Sequence, residues 1–230
     1  MSNMKTVTPR GELCWVIITG EGKADMSGNM KYSATLILDP KKKPEDKAYL
    51  DAIDAFWEEN RPKEKKVAKS KGYYLNDPLL DKAGEKQYDD EDKLIMDPNG
   101  RINVVFKTGV AFKDGKPKKV RIFNSKNQVI ALGDQSIGNG SEGHLSGSMG
   151  IYLNKNKDKI VDAGVTLYLD AIQLKKFVPY TGSDAGFAAS DDEDDFMGVE
   201  SDAGFEGEAA PSDDKAKVAP QGKGKSVPRL

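Results

Sequence analysis

The stretch "GVTLYLDAIQLKKFVPY", residues 164–180, decides how the chain is read. Val165, Leu167 and Leu169 alternate with Tyr168 and Asp170. That period of two belongs to a strand with one dry and one wet face. Just upstream, "HLSGSMGIYL" (144–153) reads as another strand, and "NKNKDK" (154–159) turns the chain between them.

Further upstream, "ELCWVIITG" (12–20) and "MKYSATLILDP" (30–40) carry the β-branched and aromatic content of strands. Between them and the later strands, Leu50, Ile53, Phe56 and Trp57 recur at helical spacing, with Asp46, Asp51, Asp54, Glu58 and Glu59 opposite. This predicts an amphipathic helix from about Pro44 to Asn60, stopped by Pro62. Residues 61–100 are polar and read as a long mobile loop with one short strand at Leu94–Met96. Residues 102–130 read as a hairpin turning at Asp114-Gly115. The Gly-rich run 133–143 reads as an inter-strand loop.

Strand, strand, helix and then strands again lacks the alternation of parallel βαβ units. A small closed antiparallel barrel fits better, because closure removes exposed edges. Gly109, Gly147 and Gly150 suit its bends. The expected fold is thus mainly β, with one amphipathic helix and a long insertion.

Charge divides the chain. Residues 1–180 carry 30 Lys+Arg against 25 Asp+Glu, whereas residues 181–230 carry 5 against 12. The second part is Gly, Ala, Ser, Asp and Pro, too poor in apolar groups to offset its ordering entropy, so a disordered tail is expected there. Its acids, including Asp191, Asp192, Glu193, Asp194 and Asp195 before Phe196, precede a basic end at 215–230. The single cysteine, Cys14, excludes an intrachain disulfide and fits a reducing, cytoplasmic setting. No apolar run reaches bilayer length and the N-terminus lacks a signal-peptide core, so a soluble protein with no membrane partner is expected.

"GNGSEG" (138–143) matches a dinucleotide fingerprint literally, but a glycine-broken strand follows where a helix is required. His144 is the only histidine, so neither a nucleophilic triad nor a Cys/His metal site can be assembled around it. The expectation is a binding protein, not an enzyme, with no cofactor and no metal.

Lysines and aromatics interleave along the predicted strands. Cations that hold phosphates beside rings that stack on bases suit a groove for single-stranded nucleic acid. The candidates are Lys31, Tyr32, Lys107, Phe112, Lys113, Arg121, Lys126, Tyr152, Lys155 and Tyr168. A strand core with solubilising lysines would give the same pattern. A protein-interaction adaptor that works through its acidic tail, and an RNA-binding barrel, are the rival readings.

In collinear order over roughly residues 10–178, "KYSATLILDP", "VVFKTGVAFKDGKPKK", "NSKNQVI", the Gly-rich loop and "GVTLYLDAIQLKKF", with "DDEDDF" in the tail, resemble the single-stranded-DNA-binding proteins of short-tailed phages. The resemblance implies an oligonucleotide/oligosaccharide-binding (OB) five-stranded barrel over 1–180 and a disordered acidic tail over 181–230. It implies single-stranded DNA bound with little sequence preference during phage replication or recombination, inside the host cytoplasm. By position, Lys107 resembles a groove cation, Tyr32 matches a family aromatic, and Lys31 substitutes for an arginine absent near Asn29. Tail residues Asp191–Phe196 would compete with DNA and recruit the phage DNA polymerase and primase-helicase. In this chain Phe196 is not terminal. Oligomeric state is left open.

Overall fold

The computed structural model describes residues 3–25, 27–112 and 114–181 of the 230. Of the tail expected over 181–230, all but Thr181 lies outside them.

The elements run β1 (Met4–Val7), β2 (Gly11–Ile17), β3 (Lys23–Ala24), β4 (Met30–Leu38), α1 (Pro44–Asn60), β5 (Tyr73–Leu75), β6 (Ile102–Gly109), β7 (Arg121–Phe123), β8 (Val129–Ile130), β9 (Ser141–Asn156) and β10 (Lys159–Lys176). Strand neighbours run β9–β2–β4–β6–β10, and β10 pairs again with β9, so these five strands close into a ring. β6 and β10 are parallel; the other ring pairs are antiparallel. Numbered by chain order, the ring reads one-two-three-five-four, the OB arrangement.

Alternation fills the ring. Leu13, Ala34, Leu36, Leu38, Val104, Phe106, Val165, Leu167 and Leu169 all point inward and are buried. α1 packs Tyr49, Ile53, Phe56 and Trp57 against this core. The helix spans the predicted residues, with Pro44 at its first turn, where a missing N–H costs nothing. One assignment is corrected. Asp46 is fully buried rather than on the wet side, because it lies one turn before Tyr49 and Leu50 on the packed face. Its Oδ2 accepts the Asp39 N–H at 2.7 Å, fixing the chain's entry to the helix.

Two further expectations change. The turn at Asp114-Gly115 joins only an isolated Ala111–Pro117 bridge; β7 pairs with β10 and β8, not with β6. Residues 77–100 are no open loop, and Leu94–Met96 is not a strand. Three eight-residue units, "LLDKAGEK" (79–86), "QYDDEDKL" (87–94) and "IMDPNGRI" (95–102), repeat one turn. In each, an aspartate (Asp81, Asp89, Asp97) accepts the backbone N–H two residues ahead at 2.8–2.9 Å. Backbone bonds Leu79→Ile95, Ile95→Gln87 and Gln87→Leu79 tie the units into a closed triangle.

Asp77 and Arg101 clasp the base of this array. The guanidinium donates to both Asp77 oxygens at 2.8–3.1 Å, and the Arg101 N–H adds a bond of 2.7 Å. Those bonds hold the Asp77 carboxyl at about 2. A carboxyl depressed in the folded state stabilises it above the unfolded value and loses that contribution as pH falls toward 2. We therefore expect Asp77→Asn to cost about 1–2 kcal/mol at pH 7. That difference should shrink as pH falls below about 4 and be largely gone in urea melts repeated at about pH 2. Equal losses at both pH values would refute the charge account.

Among the described residues, no helix is long and apolar enough to cross a membrane.

Candidate nucleic-acid interface

The outward face of β2, β4 and β6 carries a cleft of about 560 Å³, lined by Trp15, Lys31, Ser33, Tyr74, Val105 and Lys107 among others. A second, of about 230 Å³, is lined by Tyr74, Lys107, Tyr152 and Thr166. Tyr74, Val105 and Lys107 line both, so the two form one trough running from β2 to β9.

Lys107 stands at its centre. It is exposed and has no ion-pair partner among the described residues. It is in register with Ser33 on one side and Tyr168 on the other, so all three side chains leave the same face. Lys31 lies two residues along β4, 3.9 Å from Asp25. Lys23 lines the same cleft. Three lysines against Asp25 leave the trough positive.

Trp15 is brought here by a bulge. Simple alternation would send it inward with Leu13. Instead the β2–β4 register shifts between Cys14 and Ile17, and Trp15 adopts φ 48°. For a bulky side chain this is a strained, left-handed backbone. Asn139 of the Gly-rich loop holds it, its Oδ1 accepting the Trp15 N–H at 3.0 Å. The indole is left 55% exposed at the trough. Bulges re-aim side chains in this way beside binding sites. Cys14 is buried, its thiol pushed up to about 11 by burial and then by Glu12.

At the other end, the aromatic rings of Tyr152 and Tyr168 lie over glycines. A Cβ at Gly164 would meet the Tyr152 ring at 2.7 Å, and one at Gly150 would meet the Tyr168 ring at 2.9 Å. Burial, then the Asp162 carboxylate, pushes the Tyr152 hydroxyl up. Tyr74 is exposed from β5, while its neighbour Tyr73 turns inward to donate to Asp54 at 2.7 Å.

Of the sequence candidates, Lys31, Lys107, Tyr152 and Tyr168 come together. Tyr32 does not join them. It is inside the ring in line with Ala34 and Leu36, its hydroxyl donating to the Gly20 carbonyl at 3.0 Å. The alternation of "YSATLIL" carries that signal. Phe112 lies beyond the end of β6, exposed, with the Lys118 ammonium 5.8 Å from its ring. Arg121 stacks on Phe123 in β7, and Lys126 sits in the β7–β8 turn. Lys155 is near the β9–β10 turn. None of these four lines the trough. Lys113 and Asp191–Phe196 lie outside the described residues. Trp15 and Tyr74 line the trough but are not among the sequence candidates.

Another large cleft, about 520 Å³, is lined by Arg10, Lys43, Arg101 and Lys176. Glu12, Asp39 and Glu142 line it too, and Arg10 pairs with Glu142 at 2.7 Å. Its charges are largely neutralised in place. His144 is structural, its ring nitrogen on the Thr8 carbonyl at 2.9 Å.

Comparison with solved structures then places the ring. The chain is similar to gp2.5, a single-stranded DNA binding protein encoded by bacteriophage T7, at TM-score 0.50 and 18% identity, over 86% of this chain and all of that one. The likeness establishes the fold. The single-stranded DNA-binding protein from bacteriophage Enc34, solved in complex with single-stranded DNA, aligns at TM-score 0.47 and 13% identity over 76% of this chain and 88% of its own. No protein-family model and no curated protein matches the sequence.

Proposed function

We propose that the trough binds single-stranded DNA with little sequence preference. One observation carries this: a cation, Lys107, unpaired among the described residues, stands at the junction of two clefts, with the exposed rings of Trp15 and Tyr168, the half-buried ring of Tyr152, and Tyr74 where the clefts meet. Each ring offers a face to any base, and stacking is tolerant of sequence. The T7 protein of similar fold binds single-stranded DNA, which supports the reading.

In this reading the protein coats exposed strands during phage replication or recombination in the host cytoplasm. The acids Asp191–Asp195 compete with DNA for the trough's cations. When released, they and Phe196 recruit basic surfaces on the phage DNA polymerase and primase-helicase.

Oligo-dT titrations over a salt series test it. Affinity should fall as salt rises, by about 0.7 log unit per phosphate contact per decade. Lys107→Ala should lower that slope by about 0.7 and weaken binding at every salt. A chain stopped after Tyr180 should bind more tightly than full length, and one stopped after Asp214 should not. Salt-independent affinity refutes the trough; equal affinity of all three lengths refutes the competing tail. Oligo-U competition separates an RNA-binding function.

A further inference from the structure

The three-hairpin array of residues 77–100 has no part in the trough proposed above, yet it is built to a plan. Bridge partners in a ladder point to one side. The bridges Pro78–Met96, Leu80–Lys86 and Tyr88–Leu94 therefore each place two side chains on a shared face. The triangle of bonds through 79, 87 and 95 relates the three bridges to one another, so all six side chains share one end of the array. Five are apolar. Leu80, Tyr88 and Leu94 are 50, 57 and 39% exposed. Large exposed apolar groups gathered on one built surface mark an interaction site rather than scatter.

Charge selects the occupant. Residues 77–100 carry eight acids against three lysines, a net −5. The field repels phosphate, so neither DNA nor an anionic membrane fits. It also repels the same face of a second copy. We propose that this face docks a partner protein through an apolar pocket with a cationic rim, independently of DNA. Tyr88 is the central anchor, an aromatic of the kind that dominates such contacts.

The test uses the full chain, isotope-labelled, titrated with an amphipathic Leu/Lys helical peptide as the probe and followed by residue-resolved NMR. The acids Asp191–Asp195 attract the same peptide, so the decisive signals are those of residues 78–96. They should shift saturably with the Leu/Lys peptide and not with a Leu/Glu peptide of the same pattern or with oligo-dT. The variant Leu80→Ser/Tyr88→Ser/Leu94→Ser keeps every charge and should weaken the hairpin response at least about tenfold. Unchanged amide shifts at Leu79, Gln87 and Ile95 certify its fold; if they move, Tyr88→Ser alone decides, with a smaller loss expected. Shifts confined to other segments, an equal response to the Leu/Glu peptide, or an unaffected variant would overturn the proposal. Hairpin shifts with oligo-dT would assign the face to nucleic acid instead. Loss of dT binding at the trough alone would sink the DNA reading and leave this one standing.

Discussion

Replacing both Trp15 and Tyr74 with alanine is expected to weaken oligo-dT binding by about 2–6 kcal/mol, roughly 30-fold to 10⁴-fold in Kd. Each ring stacked on a base is worth about 1–3 kcal/mol. Both rings line the same cleft, so their effects couple, and the single variants are needed to apportion the loss. Folding should be little affected, because the two side chains are 55% and 51% exposed. Neither carries charge, so the salt slope should stay at the parent value while affinity falls. That separates stacking from the phosphate contact proposed for Lys107. Fluorescence anisotropy at fixed salt measures it. Affinity within about twofold of the parent would remove both rings from the interface.

The largest stability effect is expected at Gly147. Its partner across the β9–β10 ladder is Leu169, beside a register shift. A Cβ there would lie 1.7 Å from the Tyr168 carbonyl oxygen and 3.2 Å from the Phe106 ring. The oxygen belongs to the longest ladder of the ring and cannot retreat without breaking it. Gly147→Ala should therefore cost about 3 kcal/mol or more, a large share of the roughly 5–15 kcal/mol that holds a domain together. Gly133→Ala is the control. Its φ is +60° with open space around it, so it should cost only about 1 kcal/mol through backbone strain. Urea midpoints compare the two. A Gly147→Ala loss no greater than that of Gly133→Ala would show that the strands are not so close.

Much of the site could be read from strand parity. Tyr168 opposite Leu167 and Leu169, and Tyr152 opposite Met149, were placed outward by alternation alone, and they line or border the trough. Lys107 follows from Phe106 in the same way. Tyr32 differs from the expectation: it faces inward, as its alternation with Ala34 and Leu36 requires. Trp15 is different in kind. Its parity puts it with Leu13, inside, and no local signal reverses that. Asn139, far away in sequence, makes the reversal by holding the bulge. The three-hairpin repeat was present in the sequence as Asp81, Asp89 and Asp97 at intervals of eight. Read as charge, those residues indicate a solvated loop; read as turn acceptors, they build an array.

By itself the sequence determined α1 and the five ring strands, because periodicity reports which face of each strand or helix must leave water. It gave α1 its span through the spacing of Ile53, Phe56 and Trp57, and β10 its two faces through Val165, Leu167 and Leu169. The sequence anticipated closure, but only the tertiary structure decided how the ring closes and where the trough runs. Closure needs β6 beside β10 in parallel, a pairing between strands separated by the whole β7–β9 segment, which no local pattern encodes. The trough needs a bulge held from a distant loop, and the juxtaposition of Lys107 with Tyr168, 61 positions away. Local propensity fixes what each residue prefers at short range; which preferences meet is fixed by hydrogen bonds that exist only once the ring has closed.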